Sequence, residues 1–195
     1  MTGAEVFCIE RAKGQAFGAT IVGGFGAAWL AFGMTEVGVP LKVGFALVLP
    51  VFVLIAFLGA AVRRRVPRVK KEESPEKQQM MRAFAAVNVV QWVAIFGVVN
   101  LLHNLHLDGW ITGSIVLIVG VHFLPLAPIF RASQHERTGW ALMLLALVSI
   151  VVPGSMRDVV ECVGAGLILW ASAAAALRSA FQMTAKLRLD LQTST

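Results

Sequence analysis

Charge is scarce in this chain. Asp, Glu, Lys and Arg make up 14% of its 195 residues, against 57% apolar ones, whereas a soluble domain is roughly a quarter charged and half apolar. So little charge cannot cover a water-facing surface, and a mean hydropathy of +0.76 excludes an ordinary soluble globule. Cysteine is nearly absent: Cys8 and Cys162 are the only two, too few and too differently placed for a disulfide framework. No cleavable leader is expected either, since the first apolar run lacks a polar, small-residue cleavage region before the chain becomes apolar again, so it is predicted to be retained. Acidic residues number 11 against 17 basic ones, a net charge of +6. The basic residues sit in short segments beside apolar runs, a pattern of membrane orientation rather than phosphate recognition, and no nucleic-acid partner is expected.

What remains is a series of apolar runs, near 16–34, 43–62, 81–102, 110–130, 139–152 and 159–177. Lipid offers the backbone no hydrogen-bond partner, so each run is predicted to be a helix, glycines included. Six spans of about 20 residues consume most of the chain. The expected architecture is therefore an all-α, six-transmembrane-helix bundle in one domain, residues 1–195, with the lipid bilayer as its partner. The run 139–152 is the shortest, about 21 Å long against a hydrocarbon layer of roughly 30 Å.

Orientation follows from the basic residues. With a cytoplasmic start, only Lys42 and Arg157 fall outside, and every other Lys and Arg falls inside, including those of the polar linker 63–80. That asymmetry predicts both termini in the cytoplasm, but only if 139–152 truly crosses. The expected location is a bacterial inner membrane.

Polar side chains in hydrocarbon are expensive unless paired, and so they mark packing contacts or a site. Asn88 and Gln91 lie on one face of the third span. At 1.5 Å per residue Gln91 stands about 15 Å, and His122 of the fourth span about 12 Å, above the inner boundary. The three can meet across antiparallel neighbours, and His122 can exchange a proton near neutral pH. Asn100 and Glu161 sit nearer the outer face, Glu161 as a proton-coupled carboxylate, a cation entrance or a carboxylate stabilised by its helix dipole. Together Asn88, Gln91, His122, Asn100 and Glu161 are the candidate ligand or pathway residues.

The loop His103-x-x-His106-x-Asp108 carries ligand types that suit zinc but lacks a fourth group, so no metal or other cofactor is expected. Asp108 is a plausible N-cap for the fourth span, and Pro125 with Pro128 predicts a kink or an early end of it. Ser114 and Ser149 have no histidine at helical spacing, which weighs against a hydrolase. Trp110 and Trp140 stand at span starts as interfacial anchors, whereas Trp29 and Trp92 are expected to fill the core. The spacings Gly14-x-x-x-Gly18 and Gly109-x-x-x-Gly113 permit close helix contact, within the chain or with a second copy of it.

The stretch His122-Phe123-Leu124-Pro125-Leu126-Ala127, between the run from Trp110 to Gly120 and the pair Gly139-Trp140, resembles a family of small uncharacterised bacterial integral membrane proteins. The resemblance covers about half the chain and implies a bacterial inner membrane and a joint role for His122 and Pro125. No activity comes with it. Three functions stay open: a transporter or channel for a small solute or ion, a membrane-embedded binding or scaffold protein, and a lipid-modifying enzyme. They differ in whether the polar residues line one continuous cavity, none, or one open to lipid.

Overall fold

The computed structural model describes residues 3–66 and 75–193. It contains six α-helices: α1 (Gly3–Thr35), α2 (Leu41–Arg65), α3 (Pro75–Asn104), α4 (Ile111–Phe130), α5 (Ser133–Val148) and α6 (Gly154–Thr193), with 3-10 turns at Asp108–Trp110 and Ser149–Val151. All of these helices except α5 are long and apolar enough to cross a membrane.

Several helices outrun their apolar stretches. At 1.5 Å per residue α6 is about 60 Å long and α1 about 50 Å, well beyond the hydrocarbon layer. The expected spans 16–34 and 159–177 are thus only the apolar parts of α1 and α6. The linker expected over 63–80 is also shorter: α2 carries Arg63–Arg65 as its last turn and α3 begins at Pro75. Arg68, Lys70 and Lys71 of that linker lie outside the described residues.

The helices end in a shared way. Met34 and Thr35 accept hydrogen bonds from Val39 and Gly38, and Gly38 takes a left-handed φ of 83°, which makes the αL stop that glycine favours. The same pattern closes α3 at His106 (φ 55°) and α4 at Arg131 (φ 50°) without a glycine. Pro125 and Pro128 lie inside α4, which runs on to Phe130 and stops there. Asp108 opens a 3-10 turn and does not cap α4, whose N-cap is Trp110 without a side-chain bond.

Packing divides the bundle into two parts that meet on α6. In one, α1 lies along α6, with α2 on its flank. A Cβ on Gly26 would come within 3.0 Å of the Gly166 carbonyl, and the Trp170 indole NH donates to the Gly23 carbonyl at 3.0 Å. In the other, α4 lies on α5, and a Cβ on Gly120 would come within 3.0 Å of the Gly139 carbonyl. Small residues let these backbones approach, as helix pairs in lipid require. The spacing expected at Gly14 and Gly18 is not used: neither has a neighbour within 4 Å of an added Cβ. Helix α3 rests mainly on α4 and buries no residue. Trp92 is 61% exposed on it, contrary to the expected core role, whereas Trp29 packs half-buried against the main core.

One end of the bundle gathers both chain ends. Ile9, Val62, Val66 and Leu187 form a single apolar cluster, Lys77 pairs with Glu10 at 3.0 Å, and the Arg11 guanidinium donates to the Arg131 carbonyl at 2.8 Å. This joins the start of α1, the end of α2, the start of α3, the α4–α5 turn and the end of α6. The turns near residues 36–40, 105–110 and 149–153 lie at the other ends of the same helices.

Candidate functional site

The most isolated polar group in the bundle is Glu161. It lies two turns into α6 and is 1% exposed. Ser149, equally buried where α5 gives way to its 3-10 turn, donates to Glu161 Oε1 at 2.5 Å and has the Ala146 carbonyl at 2.9 Å as a second acceptor. Glu161 Oε2 is buried with no partner. Across the gap stands Gly113 in the first turn of α4, where an added Cβ would fall 2.5 Å from Oε1. Any larger residue there would collide with the carboxyl, so the glycine supplies the room that the carboxyl occupies.

Hydrogen-bond counting sharpens the picture. The Ser149 hydroxyl has one hydrogen and two acceptors in reach. With an ionised Glu161, one acceptor must go without it. With a protonated Glu161, the acid donates to Ser149 Oγ while Ser149 donates to Ala146, and both contacts are bonds. No cation among the described residues stands within ion-pair distance of the carboxyl. Arg157, one turn earlier, instead lays its guanidinium 4.1 Å above the Trp110 ring and reaches the carbonyls of Ile150 and Val152 at 3.5 and 3.4 Å. The helix dipole acts within the first turn, so Glu161 lies too deep to be an ordinary N-terminal carboxylate.

A second polar link ties α5 to α6. Thr138 donates to Ser172 Oγ at 2.8 Å between buried side chains. Thr138 and Ser149 are eleven residues apart on α5, and so are Glu161 and Ser172 on α6, about 16.5 Å or three turns. Both bonds therefore fall on one face of each helix, near opposite ends of an antiparallel pair.

The residues expected to meet near His122 are partly assembled. His122 faces the backbone of Val87 on α3, next to Asn88, but the Asn88 amide donates to its own Phe84 carbonyl at 2.8 Å. Gln91 is half-buried one turn beyond Val87. Asn100 is exposed and bonds the Phe96 carbonyl of its own helix at 2.7 Å. Glu161 belongs to a separate group formed by α4, α5 and α6. His122 shares a neighbour, the Phe123 ring 6.0 Å away, with a residue that the sequence did not point to. His135 packs on Phe123 and Phe130 with ring centroids 5.8 Å apart in each case, near enough for the two imidazoles to interact. Both Nδ1 atoms are buried without a partner. Burial holds the His135 imidazole below its ordinary range, and the nearby charge of a protonated His122 would lower it further.

His103 Nδ1 and Asp108 Oδ1 are 2.8 Å apart at the surface. His106 has a left-handed backbone, and no group of three ligating side chains among the described residues is placed to hold a metal ion. Comparison with known proteins finds no family model, curated protein or solved structure that matches the chain. Its function is read from this geometry.

Proposed function

We propose that the chain is a six-span protein of a bacterial inner membrane, with both termini cytoplasmic, that acts as a small proton-linked transporter with Glu161 as its proton site. The observation that carries the proposal is a carboxyl 1% exposed, bonded through one oxygen to Ser149, with its other oxygen unpartnered and no cation beside it. An ionisable group at such a position is costly, and carboxylates retained there include the proton relays of pumps and transporters. Six crossings are supported by α5 with its 3-10 turn, about 30 Å from end to end, which is held to α6 by the Thr138–Ser172 and Ser149–Glu161 bonds. The gathering of both chain ends with Arg11, Arg63–Arg65 and Arg178 supports the cytoplasmic termini.

The second reading, a binding or scaffold protein without transport, has its own support. Two cavities are lined by Ala60, Arg63, Arg64 and Val66 and by a set from Gly24 to Phe52 on α1 and α2; neither includes His122 or Glu161. Proteoliposomes loaded with a pH-sensitive dye separate the two. Transport predicts a lumenal pH change when one of a panel of ions and small solutes is added, lost in Glu161→Gln with the fold intact. A pH trace unmoved by every solute, or identical in Glu161→Gln, supports the scaffold instead.

A further inference from the structure

The end of α2 carries a feature that the proton site does not use. Arg63, Arg64 and Arg65 form its last turn, and a cavity of about 400 Å³ opens there, lined by Arg63, Arg64, Ala60 and Val66. Two of these guanidinium groups are held in place from either side. Arg63 lies 5.9 Å over the Phe17 ring of α1, and Arg65 lies 5.8 Å over the Phe181 ring of α6. None of the three is ion-paired with a carboxylate among the described residues. Its lining pairs two apolar residues with two arginines, and planar guanidinium groups bind phosphate oxygens through parallel N–H donors.

The surface below it has a matching character. Phe57, Ala60 and Arg64 follow one another at three- and four-residue spacing, so they form one column on α2. Phe57 is 65% exposed, and Leu54 and Val53 beside it are exposed too. An apolar, lipid-facing surface thus leads directly up to the guanidinium pair. That succession matches an amphiphile with its chain along Phe57 and its head at Arg63 and Arg64.

We propose that the Arg63–Arg64 cavity binds a phosphate-bearing anion, and the apolar column beneath it favours the headgroup of an anionic phospholipid over free phosphate. This site is independent of Glu161 and requires only that α2 crosses the bilayer. Retained phospholipid is measured by native mass spectrometry on the detergent-purified full chain, in the wild type, in Arg63→Gln/Arg64→Gln and in Arg178→Gln as a basic-residue control at the same end. Each is titrated with phosphatidylglycerol, with phosphatidylcholine and with inorganic phosphate as competitor.

The expected result is a phosphatidylglycerol preference of tenfold or more in the wild type, lost in the double variant and kept in Arg178→Gln. Size-exclusion profiles establish that each variant is folded, and Arg63→Lys/Arg64→Lys restores part of the binding through charge alone. Displacement of lipid by millimolar inorganic phosphate would assign the site to a soluble phosphate compound, whereas lipid that resists it assigns the site to the headgroup. Equal loss in Arg178→Gln, or no preference between the two lipids, overturns the proposal, since the binding would then be diffuse surface charge.

Discussion

Replacing Ser149 by Ala removes the one hydrogen bond that Glu161 makes, without altering the packing by more than a single oxygen. Hydrogen bonds between membrane helices contribute about 0.6 kcal/mol on average and reach about 1.7. Here the loss leaves both carboxyl oxygens without a partner in a site closed to water, and an unsatisfied buried polar group costs about 1–3 kcal/mol. The two ranges overlap at about 1–2 kcal/mol, which for a chain of this length lowers the melting temperature by about 2–8 °C. Glu161→Gln keeps an acceptor for Ser149 and should fall within about 1 kcal/mol of wild type. Glu161→Leu removes the group that must be satisfied, so Ser149→Ala should cost little in that background. A double-mutant cycle, read by tryptophan fluorescence during titration of mixed micelles with a denaturing detergent, then yields a coupling of about 1–2 kcal/mol. A coupling inside the roughly 0.3 kcal/mol expected of independent sites would mean that the two side chains do not form a unit, and the case for a proton site would fall with it.

Other outcomes follow from the same geometry. Burial opposes the charged form of His135, so the unfolded chain takes up that proton first; stability should be complete above about pH 6.5 and decline as the pH falls below it, and a melting curve of His135→Phe should lose much of that decline. His106 holds a left-handed backbone conformation that costs a side-chain-bearing residue about 1–2 kcal/mol, partly offset by the entropy of an added glycine; His106→Gly should stabilise by about 0.5 kcal/mol in thermal unfolding, and a loss of stability would refute the strain. Gly166→Val would drive a branched side chain into Leu30 and the Gly26 carbonyl, destabilising the α1–α6 contact by about 1–3 kcal/mol, visible as a lower melting temperature. A periplasm-active reporter fused after Thr195 should be silent, and activity there would remove the six-span topology.

Much of the helix arrangement was legible because lipid leaves so few alternatives. The apolar runs located all five helices that are long and apolar enough to cross, and the shorter run 139–152 marked α5 as a further helix. Helix extent was less legible: beyond the apolar stretch of α6, alternation of residues such as Ala180, Thr184 and Leu187 is buried against α1 and α2, a tertiary effect. The stops at His106 and Arg131 carry no glycine to announce them. As for the site, Glu161 stood out as a carboxylate inside a span, but Ser149 twelve residues earlier and Gly113 on another helix have no sequence signature linking them to it. Asn88 was read as reaching across to a neighbour, yet a short amide on a helix can bond its own preceding turn, as Asn88 does at Phe84 and Asn100 at Phe96.

The pair of bonds at Thr138–Ser172 and Ser149–Glu161 has a mechanical consequence. Pinned near both extremities, α5 cannot slide along α6 by a turn or swivel about its axis without breaking two contacts at once, so these helices travel as one strut. More freedom to rearrange is left to α3, which leans on α4 and is tied to α1 at its first turn by the Lys77–Glu10 pair.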